Sequence, residues 1–171
     1  MENEKLRQTL EKNKQNYIDY LLKLASIDTH DIGHGIEGGL EAKGQDFMAE
    51  LFASMGAEKV EKDPLNEESI LKCKEKYREG NTGHNYENRY NVYASFCGKS
   101  KKSILFNGHI DHMPAENEEH WSIPPLSPQV IDGKITGLGV ADMKAGLMAS
   151  VMATKLLKDA GIELPVTVKY A

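Results

Sequence analysis

The segment Asn107-Gly108-His109-Ile110-Asp111-His112-Met113-Pro114 concentrates more chemistry than any other part of the chain. It continues an apolar run, Ser103 to Asn107, and ligands in open α/β sheets collect where strands end. Alternation along extended backbone puts His109 and Asp111 on one side. A carboxylate so placed holds one imidazole nitrogen and leaves the other for a metal ion. The competing reading is a loop histidine hydrogen-bonded to its neighbour.

A second segment, Gly137-Leu138-Gly139-Val140-Ala141-Asp142-Met143-Lys144-Ala145-Gly146, lies between a strand pattern and an apolar helix pattern. It admits three readings. Gly137-x-Gly139 could open a dinucleotide-binding turn, but Asp142 stands where the third glycine belongs, which sets a carboxylate against a pyrophosphate. Asp142 could be a plain helix N-cap. It could also be a metal ligand, since a carboxylate at a helix N-terminus is stabilised by the dipole and can bridge two cations.

The elements that must position these groups follow from periodicity. Leu6, Leu10, Tyr17, Leu21 and Leu24 predict an amphipathic helix over 3–26, and Phe47, Met48, Leu51, Phe52 and Met55 a second over 41–55, with Gly56 as its stop. Between them, Asp31 to Gly39 is a loop by composition. A short strand is expected at 57–62. The polar stretch 63–89 reads as a solvated insertion with a surface helix over 66–78. Asn91–Cys97 and Ser103–Asn107 read as adjacent antiparallel strands across the turn-like GKSKK. Residues 113–128 form an irregular loop, and 129–137 a hairpin about Asp132-Gly133. Asp142–Ala160 is the strongest helix, with an uncharged centre that implies burial on most sides. With strands 103–107 and 165–170 it makes a βαβ crossover.

GHIDHMP, Trp121, Pro125 and DGKITGLGVADMKAG together resemble the two N-terminal signatures of the M20 metallopeptidase family, which includes acetylornithine deacetylase, succinyl-diaminopimelate desuccinylase and aminoacylase. The resemblance covers about residues 88–171, with both motifs in order. It implies an α/β fold with a mixed, mostly parallel sheet flanked by helices in three Rossmann-like layers. It implies that His109 ligates one of two zinc ions (cobalt or manganese being alternatives), that Asp142 bridges both, and that Asp111 is an active-site residue orienting His109. A cis peptide at Asp142-Met143 belongs to the same pattern. The chemistry implied is deacylase-type hydrolysis of the amide of N-acyl amino acids or small peptides.

The chain departs from the family at several positions. His112 stands where a small residue is usual; an extra ligand and a proton donor are open readings, and a surface side chain is favoured because neighbours in a strand point to opposite faces. Leu138 replaces an arginine, and Pro125-Leu126 stands for Pro-Phe. The family's Glu-Glu pair, further acidic ligand and late histidine would follow Ala171. Residues 1–171 are therefore expected to be the N-terminal portion of the catalytic domain, without a lid domain, holding zinc weakly and not hydrolysing amides by themselves. Glu116, Glu118 and Glu119 are expected to be solvated. So are His30, His34, His84 and His120, and Lys144 is expected on the surface near the helix start. Asn81–Asn85 could edge a substrate cleft.

Charge and composition narrow the rest. There are 21 Lys and Arg against 26 Asp and Glu, a net charge of −5, which argues against nucleic acid. No apolar stretch is long enough for a membrane helix. Cys73 and Cys97 stand alone and the N-terminus is too polar for a secretory signal, so a cytoplasmic protein is expected. Uncovered strand edges and apolar helix surface favour self-association into homo-oligomers. The alternative to an amidohydrolase is a non-catalytic α/β module that keeps the half-site for structural or partner-binding reasons.

Overall fold

The computed structural model describes residues 2–30, 40–78 and 86–171. The glycine-rich loop with His34, and Asn81–Asn85 with His84, lie outside the described residues. Helix α1, Glu2–Ala25, buries Tyr17, Leu21 and Leu24 on its C-terminal half, while its first half is polar and largely exposed. Helix α2, Ala42–Ser54, buries Met48, Leu51 and Phe52. Strand β1, Lys59–Pro64, begins two residues later than its pattern suggested. Helix α3, Glu67–Tyr77, buries no residue and starts at Asn66, whose side chain accepts from the Ser69 N–H at 2.8 Å.

Strands β2, Tyr90–Phe96, and β3, Ser103–Phe106, are both where expected but are not neighbours. Strand β6, Thr167–Tyr170, lies between them, in the order β1-β2-β6-β3. The connection Cys97–Lys102 shows why. It is too long to force a tight hairpin, and it straddles the start of β6. The Lys99 N–H donates to the Leu164 carbonyl and the Thr167 N–H to the Lys102 carbonyl. β3 pairs with β6 in parallel, whereas β1–β2 and β2–β6 are antiparallel. The sheet is mixed, as expected, but parallel pairing is confined to one edge and does not predominate.

The sheet is flanked by helices, and the buried side chains fall on one face. Val92, Ala94 and Phe96 of β2 and Val168 and Tyr170 of β6 point to the core, while Tyr93 and Lys169 point away. Phe52 of α2 stacks on Tyr170 with ring centres 4.9 Å apart, and Phe106 also stacks on Tyr170 at 5.5 Å. The Tyr170 hydroxyl meets Thr154 Oγ1 at 2.8 Å and donates to the Ser150 carbonyl at 2.8 Å, so α4, Ala145–Asp159, sits on the same face as α2. The second helical layer of a three-layer fold is not among the described residues.

Helix α4 starts at Ala145 rather than Asp142. A wide turn, Val140–Lys144, precedes it, with Asp142 extended (φ −129°, ψ 99°) and a cis peptide at Asp142-Met143. Nor is α4 buried on most sides: Gly146, Ala149 and Ala153 are exposed. Strands β4, Gln129–Ile131, and β5, Lys134–Thr136, form the expected hairpin, with Asp132 and Gly133 both left-handed at φ 49° and 74°. Residues 113–128 are irregular apart from one turn of 3₁₀ helix at Glu118–His120. Among the described residues no helix is long and apolar enough to cross a membrane.

Candidate metal centre

The β3–β6 ladder runs on past both strands, with the Ala171 N–H donating to the Phe106 carbonyl and the Gly108 N–H to the Ala171 carbonyl. This carries the backbone, still extended, into His109-Ile110-Asp111-His112. Alternation holds through the four residues: Ile110 and His112 turn into the core at 4% and 5% exposure, and His109 and Asp111 turn outward. His109 Nδ1 lies 3.0 Å from Asp111 Oδ1, and His109 Nε2 lies 3.1 Å from Asp142 Oδ1. The structure thus brings all three sequence-predicted site residues together.

The donor set suits a cation. A neutral imidazole has one N–H, so with Nδ1 donating to Asp111 the Nε2 lone pair faces the Asp142 carboxylate. Two acceptors facing each other repel unless a proton or a metal ion lies between them. Their 3.1 Å separation is close to the ~3.3 Å between two donors on a tetrahedral zinc. The Asp142 side chain is 89% exposed, so its carboxylate is accessible from solvent. Since α4 begins three residues later, Asp142 is not its N-cap, and the Gly137-x-Gly139 turn does not open directly into a helix as a dinucleotide turn requires. Among the described residues no group of three or more His, Cys, Asp or Glu is placed to hold a metal. Beside the pair, a pocket of about 170 Å³ runs from His109 and Asp111 to Arg89, whose Nη2 lies 2.5 Å from Glu41 Oε1.

Two expectations about neighbouring residues are corrected. His112 is buried, not on the surface: alternation correctly turned it away from Asp111, but the opposite side is the protein interior. Its Nδ1–H donates to the Met113 carbonyl at 2.8 Å and its Nε2 accepts the Thr29 N–H at 3.2 Å, so both ring nitrogens are used in the neutral form. Burial lowers its pKa from 6.5. Lys144 is likewise not a surface lysine but fully buried, its Nζ donating to the Ile27 carbonyl at 3.2 Å. Burial pulls its pKa down to about 8, against the opposing pull of Asp28 and Asp111. An isolated charge inside an apolar run, Met143-Lys144-Ala145-Gly146-Leu147, was the available signal.

Sequence reasoning missed Asp28 and Thr29. Asp28 Oδ1 lies 3.5 Å from His30 Nδ1 and 3.6 Å from His112 Nε2. Thr29 is fully buried, and its hydroxyl donates to the Ile110 carbonyl at 2.6 Å. His30 forms a parallel bridge with His112 and stacks on it at 6.2 Å. Glu116, Glu118, Glu119 and His120 are exposed, as expected.

Residues 105–171 match the sequence model of Peptidase family M20/M25/M40. N-formyl-4-amino-5-aminomethyl-2-methylpyrimidine deformylase of Halalkalibacterium halodurans is 43% identical over 83 residues, covering 47% of this chain and 19% of the relative. Succinyl-diaminopimelate desuccinylase of Psychromonas ingrahamii is 45% identical over 56 residues, covering 33% of this chain and 15% of the relative. The chain thus spans less than a fifth of the curated relatives it matches. In fold it is similar to the di-peptidase Dug1p of Saccharomyces cerevisiae, with a TM-score of 0.75 at 20% identity, over 97% of this chain and 33% of that one. Residues 105–171 are thus similar to the M20 family, the one that the two motifs resemble.

Proposed function

We propose that the chain is the N-terminal portion of an M20 catalytic domain whose complete protein is a metal-dependent amidohydrolase, removing acyl groups from N-acyl amino acids or cleaving small peptides. The observation that carries this reading is the convergence of His109 Nε2 and Asp142 Oδ1 at 3.1 Å with His109 Nδ1 held by Asp111. The names of the relatives support the reaction class, because deformylation, desuccinylation and dipeptide cleavage all break an amide C–N bond. His109 and Asp142 would hold zinc. When bound, such an ion supplies Lewis-acid polarisation of a carbonyl and a more acidic water.

The chain's own residues do the rest. Asp111 fixes the ring orientation of His109 and selects the tautomer with Nε2 unprotonated. Asp142 presents an exposed carboxylate from extended backbone that leaves both oxygens accessible. Two donors are fewer than the three or four of a zinc site, so residues 1–171 bind zinc weakly and leave amides intact. The protein works in the cytoplasm. Isothermal titration of zinc into this chain tests the reading. We expect a dissociation constant weaker than about 1 μM, with heat lost in His109→Ala and in Asp142→Ala. Sub-micromolar binding that survives both substitutions would falsify the assignment.

A further inference from the structure

The two donor-bearing segments make few polar contacts with each other apart from the His109–Asp142 pair. Besides the bond from Gly108 to Ala171 and that from Leu138 to Pro125, both segments hydrogen-bond to a third, Ile27–His30, which belongs to neither motif. From the first segment, the Ile110 carbonyl accepts the Thr29 hydroxyl at 2.6 Å, and His112 Nε2 accepts the Thr29 N–H at 3.2 Å. From the second, Lys144 Nζ donates to the Ile27 carbonyl at 3.2 Å from a fully buried position. The two Thr29 bonds are buried and the Lys144 bond is part-buried with the lysine itself fully buried, so losing a partner leaves a buried polar group orphaned.

Close packing leaves the segment no room to slide. A Cβ on Gly44 of α2 would lie 2.6 Å from Thr29 Cγ2 and 2.7 Å from Ile110 Cδ1, so α2 presses directly on the Thr29–Ile110 contact. On the other side, a Cβ on Gly139 would lie 2.8 Å from that of His112. The second segment is thereby seated against the first.

We infer that Ile27–His30 is the positioning element of the metal centre. Through Thr29 it holds the strand end bearing His109, through Ile27 and Lys144 it holds the turn bearing Asp142, and so it sets their spacing. None of its residues touches the donors; Thr29 and Lys144 are positioning residues, not catalytic ones. The inference rests on the reading of His109 and Asp142 as a donor pair, but their spacing is observable without any metal.

The test therefore has a metal-free arm. In the metal-free chain, Asp142→Asn shifts the His109 ring resonances in ¹H–¹⁵N NMR, because the two groups are 3.1 Å apart. We expect Thr29→Val, which deletes only the hydroxyl donor, to abolish most of that response, and Thr29→Ser to retain it. Lys144→Met attacks the same spacing from the other segment and serves should Thr29→Val not fold. In the second arm, Thr29→Val weakens zinc binding about tenfold and alters the visible spectrum of the cobalt(II)-loaded chain. Leu164→Ala, destabilising but remote, leaves both unchanged. A full His109 response to Asp142→Asn in Thr29→Val or in Lys144→Met overturns the inference, as does an equal loss in Leu164→Ala. Failure of the parent chain to bind zinc, with the NMR response intact, overturns only the metal reading.

Discussion

Substituting Gly139 with alanine isolates one contact near the centre, because the structure supplies its own control. Gly139 and Gly133 have nearly the same left-handed backbone, at φ 68° and 74°. Alanine at either position meets the same steric penalty, about 1–2 kcal/mol. Their surroundings differ. A Cβ on Gly133 meets nothing within 4 Å, whereas one on Gly139 lies 2.8 Å from His112 Cβ and 3.4 Å from Cγ. His112 cannot yield, being buried with both ring nitrogens bonded. Overpacking of that kind costs a further ~1–3 kcal/mol. At about 2–4 °C per kcal/mol for a chain of this size, Gly139→Ala should melt roughly 2–12 °C below Gly133→Ala. Differential scanning calorimetry of the two variants and the parent measures the gap directly. Equal melting temperatures would refute the close seating of the Gly139 turn on His112, and with it one wall of the positioning element.

Two further outcomes are expected. The folded state disfavours the charged form of His112, whose pKa burial lowers from 6.5. Below about pH 6.5 the unfolded chain therefore binds the extra proton, so this contribution to stability is complete above that pH and is lost as pH falls toward the folded value. Urea unfolding between pH 5 and 8 should show a shallower acid-side slope in His112→Gln than in the parent, and identical slopes would exclude His112 as the source. Leu164 is 5% exposed, and Leu164→Ala should cost about 2–5 kcal/mol in the same assay; a loss below about 1 kcal/mol would mean that its site collapses around the smaller side chain.

The elements were legible where a period of 3.6 or 2 ran long enough to count. α1, α2, α3 and the Asp132-Gly133 hairpin all sit within a few residues of their patterns. Strand order was not legible, because side-chain alternation in β2 and β3 says which faces are buried and nothing about which strand lies beside which. The insertion of β6 is decided by the path of Cys97–Lys102, whose composition reads equally well as a hairpin loop. The approach of His109 to Asp142 was legible because each residue lies in one of the two motifs. His112 and Lys144 were misplaced for one reason: charge and polarity predict exposure, and that rule fails where backbone carbonyls and amides of another segment satisfy a buried polar group. Thr29 carried no local signal at all, since its importance comes from contacts 81 and 83 residues away in the chain, and Asp28 likewise meets His112 only through the fold.

The placement of β6 also bears on how the fold is reached. Among the described residues the strand that joins β2 to β3 is the last of six in chain order, and β3 pairs with no other strand before residues 167–170 are made. During synthesis β1 and β2 can pair early, but β3, with Ile104 and Leu105 exposed even in the finished structure, must wait about sixty residues for its neighbour. A nascent chain paused before Thr167 would present an apolar strand with both edges open, the kind of surface that chaperones shield and that aggregates when unshielded. The approach of His109 to Asp142 is equally late, because the ladder that leads into His109 closes only when Ala171 reaches Phe106 and Gly108.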